Sequence, residues 1–143
     1  MKSKAYLILA AILVVLVSGC ASGPSFRDYE SSIPPLSEDA GRIYMYRTAV
    51  VGAAVQPKVR VDGEPVGKAT PQGFFFVDLP PGDYEISAST EAKRSLTLTL
   101  DQREIRYVRL EMKMGFMAGH VKPVLVDDSI GREEILGTKY TGE

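Results

Sequence analysis

The sequence predicts an all-β fold: a small, mainly antiparallel β-sandwich or open barrel of about seven strands, with a short C-terminal helix. Two runs carry most of that expectation. Leu96, Leu98 and Leu100 alternate with Thr97 and Thr99, and Val108, Leu110, Met112 and Met114 alternate with Tyr107, Arg109, Glu111 and Lys113. A period of two places one face of each run in a core and the other in water. Turn chemistry is the third observation. Asp62-Gly63 supplies the positive φ values of a tight hairpin, and Pro81-Gly82 suits the centre of a type II turn. Nothing in the chain reads as a βαβ unit.

The N-terminus reads as an export signal, outside that domain. Lys2 and Lys4 precede thirteen uncharged residues from Ala5 to Val17, and Ser18 and Gly19 follow before Cys20. As a helix the apolar stretch spans about 20 Å against roughly 30 Å of bilayer hydrocarbon, which disfavours a permanent transmembrane helix. Val17-Ser18-Gly19-Cys20 resembles the bacterial lipobox. That resemblance implies cleavage between Gly19 and Cys20, removal of residues 1–19, a diacylglyceryl group on the Cys20 sulfur and an N-acyl chain on its amine. Two or three chains, at about 0.8 kcal/mol per buried methylene, hold permanently where one binds marginally. Ala21 and Ser22 lack the aspartate associated with inner-membrane retention, which by the same resemblance implies the periplasmic leaflet of the outer membrane in a Gram-negative cell. The alternative for Cys20 is an unpaired thiol at the edge of an export signal.

The 143 residues include 17 basic and 18 acidic side chains; loss of Lys2 and Lys4 with the leader leaves 15 against 18. A mature chain of this length has room for one core. Its mildly acidic balance offers no excess charge to neutralise phosphates, so nucleic-acid binding is not expected. Cys20 is the only cysteine, so the fold must stand without an intramolecular disulfide.

From Ala21 to Ala40 the chain has five serines, three prolines and few aliphatics. Such a composition predicts a flexible tether over residues 20–39, about 25 Å long on average, with the folded domain spanning 40–143. Phe26 and Tyr29 are the residues in it able to pack back.

Within the domain, further strands are expected at Arg42–Arg47, Lys58–Asp62, Gly73–Leu79 and Tyr84–Ser89. Asp101 to Glu104 form a polar connection between the two longest. Val121–Val126 reads as another strand, placed at an edge or at its start by Pro123, which cannot donate to a ladder. Asp128 or Ser129 caps a short helix from about Ile130 to Leu136, stopped by Gly137, although Gly131 within it costs roughly 1 kcal/mol relative to alanine. The small-residue insert Val50–Val55 is a loop or a strand of its own.

Val59 to Ala88 resembles a PEGA-type surface repeat: Val61-Asp62-Gly63, Gly67, Thr70-Pro71, then Leu79-Pro80-Pro81-Gly82 before Tyr84. With Arg106-Tyr107-Val108-Arg109-Leu110, Val124-Leu125-Val126 and Glu133-Glu134-Ile135, residues 40–140 are more similar to a bacterial lipoprotein family of unknown function, the one numbered 2846. That likeness implies a β-domain and no catalytic residue.

The inventory for catalysis is thin. His120 is the only histidine and has no obvious partner, so a structural or solvated role is expected. Asp127-Asp128 reads as a helix cap, with a hard-cation site shared with Asp101 or Glu133 as the alternative. Gly115 to Gly119 reads as a loop. No cofactor and no metal is expected. In Phe74-Phe75-Phe76, alternation turns Phe75, Val77 and Leu79 to a core shared with Tyr84, Ile86 and Ala88. Phe74 and Phe76 then face the other way, either covered by the second sheet or the C-terminal helix, or forming a partner-binding patch. Arg106, Arg109 and Lys113, with Tyr107 and Glu111, are grouped as one wet strand face; mixed signs favour simple solvation over contact with an anionic polymer or headgroup.

Together these point to a lipid-anchored, non-enzymatic module acting in binding or assembly in the cell envelope. Its expected partners are the membrane through Cys20 and an envelope protein or cell-wall component. A small periplasmic hydrolase or sugar-handling enzyme is the alternative from another class, and a purely structural envelope-stress lipoprotein is a third.

Overall fold

The computed structural model describes residues 19–88, 94–115 and 119–142. Residues 1–18, nearly all of the expected leader, therefore lie outside the described residues, as does the middle of the Gly115 to Gly119 connection. In chain order the strands are β1 (Gly41–Tyr46), β2 (Lys58–Val61), β3 (Glu64–Lys68), β4 (Gly73–Leu79), β5 (Gly82–Ala88), β6 (Ser95–Leu100), β7 (Ile105–Met114), β8 (Gly119–Val126) and β9 (Lys139–Tyr140). One sheet has the order β8-β7-β1-β4-β9 and the other β3-β2-β5-β6. The sandwich expectation holds, with β3 and β9 adding to the strands read from the sequence.

The sheets face each other across an apolar core. Ile43, Met45, Phe75, Val108, Leu110 and Val121 come from one, and Val59, Val61, Ile86, Ala88, Leu98 and Leu100 from the other. The alternation in Phe75, Val77 and Leu79 is the one expected. Most pairings are antiparallel, but β1 runs parallel to β7 and β4 to β9. Since β1 and β7 run together, Tyr46 and Met114 finish at one end of the five-stranded sheet, where β4 and β8 begin. Pro123 sits in β8, an edge strand, opposite Leu110.

Turn expectations divide. Asp62 (φ 48°) and Gly63 (φ 87°) take the left-handed conformations of a tight hairpin joining β2 to β3. Gly82 is already the first residue of β5 and has no positive φ, so the expected type II turn is not formed. The physical reason is topological: β4 and β5 lie in different sheets, and Pro80-Pro81 carries the chain from one sheet to the other rather than closing a hairpin within one. Residues 51–54 form turns, so the Val50–Val55 insert is a loop, with Gly52 at φ 72°.

The outer face of the five-stranded sheet is aromatic, and two short helices cover it. Tyr44 and Tyr46 from β1, Phe74 from β4 and Tyr107 from β7 pack with Phe26 and Ile135 in a second apolar layer. Phe26 belongs to α1 (Phe26–Tyr29), continued by a 3-10 turn over Glu30–Ser32, and Ile135 to α2 (Asp128–Ile135). The C-terminal helix thus exists, starting two residues earlier than expected. Gly131 in it is buried, and a Cβ there would lie 2.2 Å from Cγ of Tyr107. Its helix cost is the condition for close approach to that ring.

The flexible tether is corrected. Ala21 and Phe26 are buried, the Ala21 amide donates to the Pro71 carbonyl at 3.0 Å, and the Phe26 amide donates to Thr138 at 3.0 Å. Tyr29 stacks on Tyr140 at 4.0 Å. Further on, Arg42 donates to the Pro34 carbonyl and Gln102 to that of Glu38. Two aromatics a helical turn apart outweigh the polar composition around them.

Candidate functional site

The end of the domain that carries Cys20 is organised by a side chain that sequence reasoning missed. Arg47, directly after β1, is fully buried. Its Nε donates to the Ala49 carbonyl at 3.1 Å, Nη1 to Val55 at 2.7 Å and Ala69 at 2.9 Å, and Nη2 to Val51 at 2.8 Å and Gly52 at 3.0 Å. All five guanidinium N–H groups are thereby used, each on a main-chain carbonyl. Burial pushes the pKa of Arg47 down from the ordinary arginine value. The carbonyl dipoles compensate the charge, and residues 49–55 are wrapped around it.

The start of the described chain is fastened to the same loop. Gln56 Nε2 donates to the carbonyls of Gly19 and Ala53, both at 2.9 Å. Cys20 itself is exposed. Gly23 passes so close to Tyr140 that a Cβ would meet its carbonyl oxygen, and the Tyr140 amide donates to Pro24 at 2.8 Å. Cys20 is thus held against the domain by contacts on either side.

The phenylalanines resolve as two different environments. Phe74 is fully buried, with Phe26 edge-on at 5.1 Å and Tyr140 at 5.5 Å, so the partner-patch alternative fails for it. Its cover includes α1, from the segment read as a tether. Phe76 is half-buried beneath the Arg42 guanidinium, 4.5 Å from the ring centroid. Arg42 is itself held by a bidentate pair to Asp78 at 2.6 and 2.7 Å.

The grouping of Arg106 with Arg109 and Lys113 is also corrected. Position 106 has the parity of Val108 and Leu110 and lies on the opposite face of β7 from 109 and 113. Arg106 pairs with Glu104 at 3.4 Å, while its buried Nε has no hydrogen-bond partner. Arg109 bridges Glu111 and Glu134, at 2.7 Å each, and Lys113 reaches Glu111 at 2.6 Å. Lys113 and Arg109 hold the Glu111 carboxyl below the usual glutamate range. The Tyr46 hydroxyl donates to the other oxygen of Glu134, and desolvation followed by that bond raises its pKa well above the ordinary tyrosine value. This network ties α2 to β7 and β1.

His120 is half-buried with Nε2 unpartnered. Asp127 occupies the N-cap position of α2 without a side-chain hydrogen bond, and Asp128 pairs with Arg132 at 2.8 Å. Among the described residues no group of three or more His, Cys, Asp or Glu side chains is placed to hold a metal ion. No helix among them is long and apolar enough to cross a membrane.

A two-sheet sandwich whose outer aromatic face is sealed by two short helices defines the class of domain. The chain belongs to the family described as "Protein of unknown function (DUF2846)", whose profile matches residues 37–124. It is also similar to an uncharacterized protein of Haemophilus influenzae, 25% identical over 129 residues, which cover 86% of this chain and 76% of that protein.

Proposed function

We propose that the mature protein is a lipid-anchored, non-enzymatic module of the bacterial cell envelope that acts in binding or assembly. The observation that carries this reading is the order of the N-terminus: a basic start, a thirteen-residue apolar stretch and Val17-Ser18-Gly19-Cys20. Support comes from the exposure of Cys20, which is consistent with a modified residue at the surface. Ala21 and Ser22 favour the periplasmic leaflet of the outer membrane, with an envelope protein or cell-wall component as partner. Among the described residues, the charged groups Arg42, Asp78, Arg109, Glu111 and Glu134 are spent in structural pairs, Arg42 with Asp78 and Arg109 with Glu111 and Glu134. That supports a scaffold over a hydrolase.

Metabolic labelling with a fatty acid tests it. The parent chain takes the label and Cys20→Ser does not, because a hydroxyl cannot form the thioether. Label retained by Cys20→Ser, or absent from the parent, defeats the reading.

A further inference from the structure

We propose that the Cys20 end of the domain is a membrane-docking surface that seats on an anionic phospholipid bilayer. Val50 and Val51 enter the boundary between headgroups and acyl chains, and Lys58, Lys68 and Lys139 meet the phosphates. The inference rests on Cys20 being the lipid-bearing residue.

Three independent features converge on this end. The first is apolar exposure. Val50 is 47%, Val51 66% and Met114 71% exposed, whereas the other exposed large aliphatics among the described residues, Ile130 and Leu136, belong to α2 and its C-cap. Val50 and Val51 stand on the loop clasped by Arg47, and a Cβ on Gly52 would lie 2.5 Å from Cε of Met112, so the loop abuts the closing residues of β7. A fully buried cation thus orders a loop whose valines are left in water. That arrangement costs stability in solution and gains it at an apolar boundary.

The second feature is charge. Lys58 and Lys68 stand directly opposite each other in the β2–β3 ladder, both exposed, and neither has a carboxylate within ion-pair distance among the described residues. Like charges facing across strands destabilise a free domain and are compensated on an anionic surface. Lys139, exposed and likewise unpaired among the described residues, lies opposite Gly73 where β4 begins at this same end. Asp78, Asp83, Asp101 and Glu38 lie toward the far end, where β4 finishes and β5 and β7 begin. The domain is therefore oriented by charge as well as by its apolar tip.

The third is the absence of slack. Ala21, directly after Cys20, is buried and its amide donates to the Pro71 carbonyl, so acyl chains on Cys20 leave from within this surface and hold it at the bilayer.

The sequence has no tryptophan, so one substitution makes a unique fluorescent reporter. The lipidated full chain carrying Val51→Trp is reconstituted into phosphatidylethanolamine–phosphatidylglycerol vesicles, alongside Met114→Trp and a far-end control, Glu38→Trp. The expected result is blue-shifted emission and quenching by brominated acyl chains for Val51→Trp and Met114→Trp, with neither effect for Glu38→Trp. The Met114→Trp shift should diminish when Val50 and Val51 are both changed to Asp, and the Val51→Trp shift should diminish in vesicles of phosphatidylcholine alone. Water-like, unquenched emission from both tip reporters in a chain that carries fatty acid on Cys20 overturns the docking surface and leaves the anchor standing. Absence of the fatty acid overturns the anchor reading, and the docking inference with it.

Discussion

The Arg47 guanidinium holds the Val51 carbonyl at 2.8 Å, so a fully buried side chain fixes the most exposed large aliphatic of the 49–55 loop. The relationship joins the interior of the sandwich to the surface beside Cys20. It also makes that surface sensitive to one buried position.

Arg47→Met should therefore cost at least about 3 kcal/mol, because it leaves several buried carbonyls without donors. Arg47→Lys should recover only part of this, since an ammonium offers three donors where the guanidinium offers five. Denaturant midpoints of the three proteins measure both. A loss under about 1 kcal/mol for Arg47→Met would contradict the clasp.

Phe74→Ala should cost roughly 3–5 kcal/mol, as for other buried phenylalanines, and Phe76→Ala clearly less, because Phe76 is half-exposed beneath Arg42. Phe26→Ala should loosen the N-terminal segment as well. Limited proteolysis of that variant is expected to cut first within residues 21–38 while the sandwich stays intact; unchanged resistance would sink the docked-segment account.

At Gly131 the usual helix rule should invert. Alanine in a helix interior normally gains about 1 kcal/mol over glycine, yet a Cβ here would overlap the ring of Tyr107 at 2.2 Å. Gly131→Ala should lower stability, by roughly 1–3 kcal/mol from overpacking. A stabilised variant would show that α2 does not press on β7.

The pH dependence follows from Glu111. Its folded pKa is depressed by Lys113 and Arg109 below the ordinary value of 4.5, so its contribution is fully present above that value and is lost as pH falls through the lower folded pKa. The melting-temperature difference between the parent and Glu111→Gln should shrink on going from pH 6 to pH 3. A difference that is constant, or larger in acid, would contradict the network.

Much of the sandwich was legible because its signals are local. Alternation marked β6 and β7, Asp62-Gly63 marked a hairpin, and Phe75 was turned to the correct face. Pro81-Gly82 misled because turn chemistry cannot tell a reversal within a sheet from a crossing between sheets. The parallel β1–β7 pairing leaves no local trace. Arg47 was illegible for a related reason: at a strand end an arginine reads as solvated, and only tertiary folding places five carbonyls around it. Two misses were avoidable. Ser25 and Asp28 have the spacing of a capping box, and Ser25 does accept from the Asp28 amide at 3.3 Å, which marks α1. Simple parity separates Arg106 from Arg109 and Lys113.

The central claim is that the mature chain begins at Cys20 and carries lipid there. Intact-mass spectrometry of the protein purified from detergent-solubilised envelopes tests it most directly. The predicted mass is that of residues 20–143 plus a diacylglyceryl group and one N-acyl chain, with both modifications on the N-terminal peptide. A mass that retains residues 1–19, or one that begins at Cys20 with no acyl group, would contradict the account.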